Sequence, residues 1–264
     1  MLFRNTFLLT VVSVALYANP LKLEYSYGVH DFIVDNEYHT LGINAGIYMN
    51  QTSQNGMNHS GYFEALVDYD KEELDPDHIP VWFRANYELD KVLFQINENF
   101  DIKGVFDFDW KMNTVSSIEQ NLKSGLGLGF DYHASSISFG LKVLGGTYYL
   151  ELDDDVPEEN GYNRDELGGD FQGAYAFAAN IGNQFTEDLF AQIEYSEWHD
   201  NNEWLEKYLA FKIKYDTTLW NKDASVQFSL ENTEYNLSSY EKDDVPILPW
   251  NDDMLVKLSV HIPF

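Results

Sequence analysis

The sequence predicts an all-β chain folded as a transmembrane, antiparallel, up-and-down β-barrel of about twelve strands, and three observations predict it. Apolar and polar residues alternate over stretches of about ten positions, the period of a wall with lipid on one face and water on the other. Each stretch is near the ~9 to 11 residues that cross a bilayer at a tilt, and no later apolar run approaches the ~20 residues of a membrane helix. The connections alternate short and long, as a barrel with tight turns at one end and loops at the other requires.

The chain opens with Arg4, an apolar run from Phe7 to Leu16, and Ala18 before Asn19-Pro20. This is the pattern of a secretory signal peptide over residues 1–18, which leaves 19–264 as the barrel. Strands are predicted near 24–34, 39–49, 61–70, 80–90, 101–111, 122–132, 137–151, 171–183, 189–198, 207–217, 224–235 and 253–264. The alternation is plainest for Leu126, Leu128, Phe130 and Tyr132; for Leu209, Phe211, Ile213 and Tyr215; and for Ala224, Val226, Phe228 and Leu230. It is plainest of all from Met254 through Val256, Leu258, Val260 and Ile262 to Phe264. Short turns fall at 133–136, 183–188 and 217–223, and long connections at 68–78, 151–170 and 236–253. Val92 to Asn97 also alternates; as an extra strand it would push residues 24–34 out of the wall and into the pore. Trp82, Trp110, Trp198, Trp204 and Trp250 sit near the long-loop ends, which predicts an interfacial aromatic girdle, with Trp220 at a short turn.

Of the 264 residues, 16 are Lys or Arg and 44 are Asp or Glu, a formal charge of -28. Such a surface repels phosphates and excludes a sequence-independent nucleic-acid binder. The 18 Tyr, 18 Phe and 6 Trp supply too much buriable surface for a disordered acidic chain. With no Cys, disulfides, thiolate metal sites and a Cys nucleophile are excluded. The segments 68–78, 151–170, 197–206 and 236–253 hold 24 of the acidic residues against Lys71, Arg164 and Lys242, so most of the acidity is expected in external loops. Asp153, Asp154, Asp155, Glu158 and Glu159 could gather divalent cations that bridge lipopolysaccharide phosphates, although a solvated loop is the plainer reading. No cofactor is expected.

The face opposite the apolar one carries the candidate functional residues. Lys142, Glu194, Lys212, Lys214, Asp216, Glu231, Lys257 and His261 are predicted to line the lumen, mixing both signs on adjoining strands. Pairing of Lys212 or Lys214 with Glu194 and Glu231 would rigidify a narrow interior, either as a solute-selecting constriction or as ordinary packing. Gly125, Gly127, Gly129, Gly140, Ala174, Ala176 and Ala178 put small side chains on the same face. They either ease curvature or make room for a segment inside the barrel, with residues 19–34 the candidate plug.

The last strand, alternating and ending on Phe264, resembles the signature read by the bacterial barrel assembly machinery. Twelve strands, a candidate N-terminal segment in the pore and this terminus together resemble the translocator barrel of autotransporters, here without a passenger. The resemblance implies an outer-membrane location, contact with lipid and lipopolysaccharide, and a solitary barrel; secretion activity does not carry over. Nucleoside channels and acidic-sugar porins share the length, and an acidic mouth disfavours the latter. A passive channel is the leading expectation, with an adhesin or a surface hydrolase of lipid or peptide as alternatives. For a hydrolase the best candidate is His199, beside Asp200 and near Glu197 and Glu203; His59-Ser60 and His133 with Ser135 and Ser136 lie at the opposite, short-turn end.

Overall fold

The computed structural model describes residues 23–34, 38–69, 81–112, 118–152, 161–163, 169–241 and 251–264, so the signal-like residues 1–18 lie outside it. Twelve strands form: β1 Leu23–Val34, β2 Tyr38–Thr52, β3 Met57–Tyr69, β4 Val81–Asn97, β5 Phe100–Met112, β6 Ile118–Ala134, β7 Ile137–Leu152, β8 Gln172–Gln184, β9 Leu189–His199, β10 Trp204–Leu219, β11 Lys222–Tyr235 and β12 Asp252–Pro263. Each pairs antiparallel with its neighbour in sequence, and β1 also pairs with β12 from Glu24↔Pro263 to Val34↔Asp253, closing the barrel. Closure satisfies the backbone of every strand from within the wall, the condition for crossing lipid with sheet.

Alternation sets the two faces. Leu126, Leu128, Phe177, Ile193, Leu209, Phe211 and Leu258 stand exposed on the outside, while Asn121, Lys123, Glu206, Ser229 and Lys257 are buried inside. Leu126 is 69% exposed and Glu64 0%, the reverse of a water-soluble fold. Such an apolar exterior is stable only against an apolar medium. At the short-turn end Trp220 and Asn221 both have positive φ, 51° and 60°, giving the two-residue turn whose twist suits a hairpin. Phe264 stacks on Tyr25 at 3.7 Å between ring centroids, and its amide donates to the Leu23 carbonyl, which fastens the C-terminus to β1.

Three expectations are corrected. Val92 to Asn97 makes no strand of its own: it prolongs β4, which keeps pairing with β5 across two register shifts beyond the end of β3 at Met57↔Lys91. Residues 23–34 are β1 in the wall and do not plug the pore; without them β2 and β12 would each expose an unpaired edge. Part of the space left by the small residues is filled by side chains, and Ala176 and Ala178 border open lumen. Trp198 and Leu144 lie against Gly125, and they join Tyr148, Ala174 and Ala176 in an apolar cluster toward the long-loop end.

The girdle expectation fails for two tryptophans. Trp82 and Trp198 are 1% and 6% exposed and face inward. A strand position at the right height places a ring near the interface only if its parity points outward, and theirs does not. Trp204 is half-buried beneath Lys207, Trp220 is exposed, and Trp250 lies outside the described residues.

Candidate functional site in the barrel lumen

Inside the barrel runs a cavity of about 1150 Å³. Its wall extends from Gln51, Ser60 and His261 near the short turns to Trp82, Lys111 and Asp253 near the long connections. Of the eight predicted lumen residues, Lys142, Glu194, Lys212, Lys214, Glu231 and His261 line this cavity. Asp216 lines a second pocket of about 390 Å³ at the short-turn mouth, and Lys257 lies buried inside the barrel against Glu64.

The structure brings these residues together in pairs, only some of which sequence spacing suggests. Lys212 Nζ donates to Glu194 Oε2 at 2.6 Å, the cross-strand pair expected. Lys214 instead meets Asp216, its neighbour two residues along, at 3.0 Å. Glu231 takes Arg84, whose Nη2 reaches it at 2.5 Å from a strand 147 positions away in sequence, and also accepts from Tyr208 and Ser229 at 3.1 Å. Lys257 donates to both oxygens of Glu64 at 2.9 and 2.8 Å, and Asn44 adds a third donor. Lys142 bonds Glu88, and Lys123 bonds Glu206. Lys111 bonds Asp253 at 2.5 Å.

Arg84, Glu64, Glu88, Lys111, Lys123, Glu206 and Asp253 are the functional residues the sequence reading missed. Parity alone would have placed Arg84, Glu88, Lys111 and Lys123 on the lumen face. Glu206 and Asp253 were counted in the external loops, as was Asp68, yet all three are buried inside. Asp68 accepts from Trp82 Nε1 and bonds His30, both at 2.7 Å. Glu206 entered the loop tally because the predicted strand begins at 207, three residues late, and Asp68 and Asp253 because the tallied segments 68–78 and 236–253 overlap the strand ends.

Arg84 and Glu231 carry the longest reach. β4 and β11 are separated around the wall by β3, β2, β1 and β12, so their bridge spans the lumen instead of running along it. Arg84 also lies over the Tyr62 ring at 5.7 Å and within 3.9 Å of Glu64. Two cations and two carboxylates thus share one neutral cluster with Tyr62 and Tyr208, and it narrows the cavity from within. An arginine fork held on an aromatic face loses little further entropy on pairing, which keeps such a bridge in place.

His199, the hydrolase candidate, bonds Glu197 at 2.9 Å and stacks on Tyr175 at 5.3 Å on the outer face. A carboxylate and a ring orient an imidazole; neither is a nucleophile for it to activate. Among the described residues, no group of three or more His, Asp and Glu is arranged to hold a metal ion. Most of the 151–170 loop, with its acidic run, lies outside the described residues.

No family model matches the chain, and no curated protein matches it in sequence. Solved structures similar to it include the KdgM porin, at 13% identity over 90% of this chain and 99% of that one, with a TM-score of 0.48. Outer membrane phospholipase A from Escherichia coli is 9% identical over 96% of each chain, with a TM-score of 0.45. The anion-selective porin from Comamonas acidovorans is 6% identical over 92% of this chain and 98% of that one, at 0.40. At these values the properties of those proteins do not pass to this chain.

Proposed function

We propose that the protein is a bacterial outer-membrane β-barrel acting as a passive channel for small polar solutes. The observation that carries the reading is the lumen: a cavity of about 1150 Å³ reaching toward both ends of a closed wall and lined by Lys, Arg, Asp, Glu, Asn and Ser side chains. A barrel serving only as a membrane anchor would gain more from an apolar filling, because ion pairs in a low-dielectric interior are costly to desolvate. In this orientation the short turns face the periplasm and the long acidic connections face outward, with residues 1–18 removed on export. The paired β12 and its terminal Phe264 suit recognition by the barrel assembly machinery. Divalent cations at the acidic loops would let the crown approach lipopolysaccharide phosphates.

The autotransporter-like reading loses the N-terminal pore segment on which it leaned, and retains the strand number. Recording in planar bilayers tests the channel. Stepwise conductance with cation preference is expected from the purified full-length mature protein, and Arg84→Ala should enlarge the step. Silence from the wild type, Arg84→Ala and Glu231→Gln alike would remove the channel reading.

A further inference from the structure

One part of the lumen is built differently from the rest. Near the long-loop end the rings of Phe32, Tyr235 and Trp82 surround the Lys111 ammonium at 5.5, 5.6 and 5.7 Å from their centroids. Asp253 closes the fourth side at 2.5 Å, and the Tyr235 hydroxyl accepts from the same nitrogen at 3.2 Å. Three ring faces converging on one point, with a carboxylate beside it, form an aromatic cage for a positive charge. The walls are fixed in advance: Trp82 is held through its indole N–H by Asp68, and Phe32 packs on it at 5.0 Å.

The cage opens on the main cavity, whose lining includes Phe32, Trp82, Lys111, Tyr235 and Asp253. Its present occupant is the chain's own side chain on a flexible four-carbon stem. Asp109, two residues along β5 and lining the same cavity, pairs with Lys123 at 3.3 Å, so an ammonium leaving the cage along β5 would share that carboxylate. The acidic residues of the long connections, 24 in the four segments less the buried Asp68, Glu206 and Asp253, would raise the local concentration of cations at this mouth. A neutral solute has no comparable partner here, because the rings converge on a point instead of presenting a flat stacking platform.

We propose that the cage of Phe32, Trp82, Tyr235 and Asp253 is a binding subsite for organic ammonium groups, which enter the lumen and exchange with Lys111. The route of entry rests on the channel reading; binding itself does not. The test is tryptophan fluorescence of the full-length mature protein in detergent micelles, titrated with tetramethylammonium chloride. Sodium chloride at equal ionic strength and tert-butanol serve as controls for charge and shape.

A saturable change with tetramethylammonium alone is expected, lost in Trp82→Phe, which keeps a ring and removes the reporter. Lys111→Ala, freed of the internal competitor, should bind about tenfold more tightly, and Lys111→Ala combined with Asp253→Asn about tenfold more weakly than Lys111→Ala alone, each near one charge-assisted contact. If Lys111→Ala does not fold, Lys111→Gln, which keeps a polar stem without the charge, takes its place in both comparisons. A wild type that never responds overturns the proposal. If Lys111→Ala alone responds, Lys111 is a fixed structural occupant and the proposal fails; a response indifferent to both substitutions places binding elsewhere. Saturable binding without bilayer conductance would sink the channel and leave the subsite, and conductance without binding would do the opposite.

Discussion

Removing Arg84 tests whether the cross-lumen bridge narrows the pore. Arg84 and Glu231 have side chains 13% and 7% exposed, so the pair is largely desolvated. Breaking such a pair from one side costs about 3–5 kcal/mol, because the remaining charge stays buried without its partner. Here the cost falls at or below the low end. Glu231 keeps Tyr208 and Ser229 as donors, and Glu64 keeps Lys257 and Asn44. The vacated guanidinium space also joins a cavity that admits water. Arg84→Ala is therefore expected to lose about 2–3 kcal/mol in urea unfolding from detergent micelles. In the double-mutant cycle with Glu231→Gln the coupling should be about 2 kcal/mol, the scale for residues in direct contact. In planar bilayers the same substitution should raise the single-channel step, while Arg84→Lys, shorter and unable to fork, should lie between the two. Additive stability effects together with unchanged conductance in all three variants would refute the bridge as both coupling and constriction.

Lys257→Met removes the bidentate partner of Glu64, which is fully buried but keeps Asn44 and Arg84, and should destabilise the barrel by about 2–4 kcal/mol; Lys257→Met combined with Glu64→Gln should recover much of that loss by the same urea measurement. A Cβ at Gly146 would lie 1.9 Å from the Ser124 carbonyl oxygen, whereas nothing lies within 4 Å of one at Gly145. Gly146→Ala should therefore lower the fraction of heat-modifiable folded barrel on gels, by a strain of about 1–3 kcal/mol, while Gly145→Ala should not. Trp220→Gly relieves a bulky residue at φ 51° and should stabilise the β10–β11 hairpin by about 1 kcal/mol, read as a shift in the urea midpoint.

The wall was legible in the sequence because its information is local. Period-2 alternation is carried by neighbours, and it located all twelve strands, with ends within four residues of those observed except at β4, which runs seven residues further. Inward parity also named Lys142, Glu194, Lys212 and Glu231 without any knowledge of the fold. What parity cannot carry is the partner. Arg84 finds Glu231, and Lys257 finds Glu64 at 193 positions' separation, only after the sheet has closed. Within one pair of adjacent strands the problem is easier, which is why Lys212 with Glu194 could be anticipated. The tryptophans were misread for a related reason. Height along a strand was used where face decides, and Trp82 and Trp198 carry the parity of the lumen.

The ion pairs inside the barrel are poorly explained as devices for holding it together. The wall is already closed by β1 and β12 and sealed by backbone hydrogen bonds around the full circuit. A buried ion pair adds little to that, since its Coulomb gain is largely cancelled by the hydration both partners surrender. What the pairs add is position: Arg84 is held at the centre of the lumen by Glu231 and Glu64, and Lys111 is held among three rings by Asp253. Glu231 and Asp253 come from strands well around the wall from Arg84 and Lys111, so each cation is fixed relative to the opposite side. On the channel proposal, charged solutes would meet an interior of paired charges beneath an acidic mouth. Selection by sign would then fall to the mouth, and selection by shape and by ammonium character to the lumen.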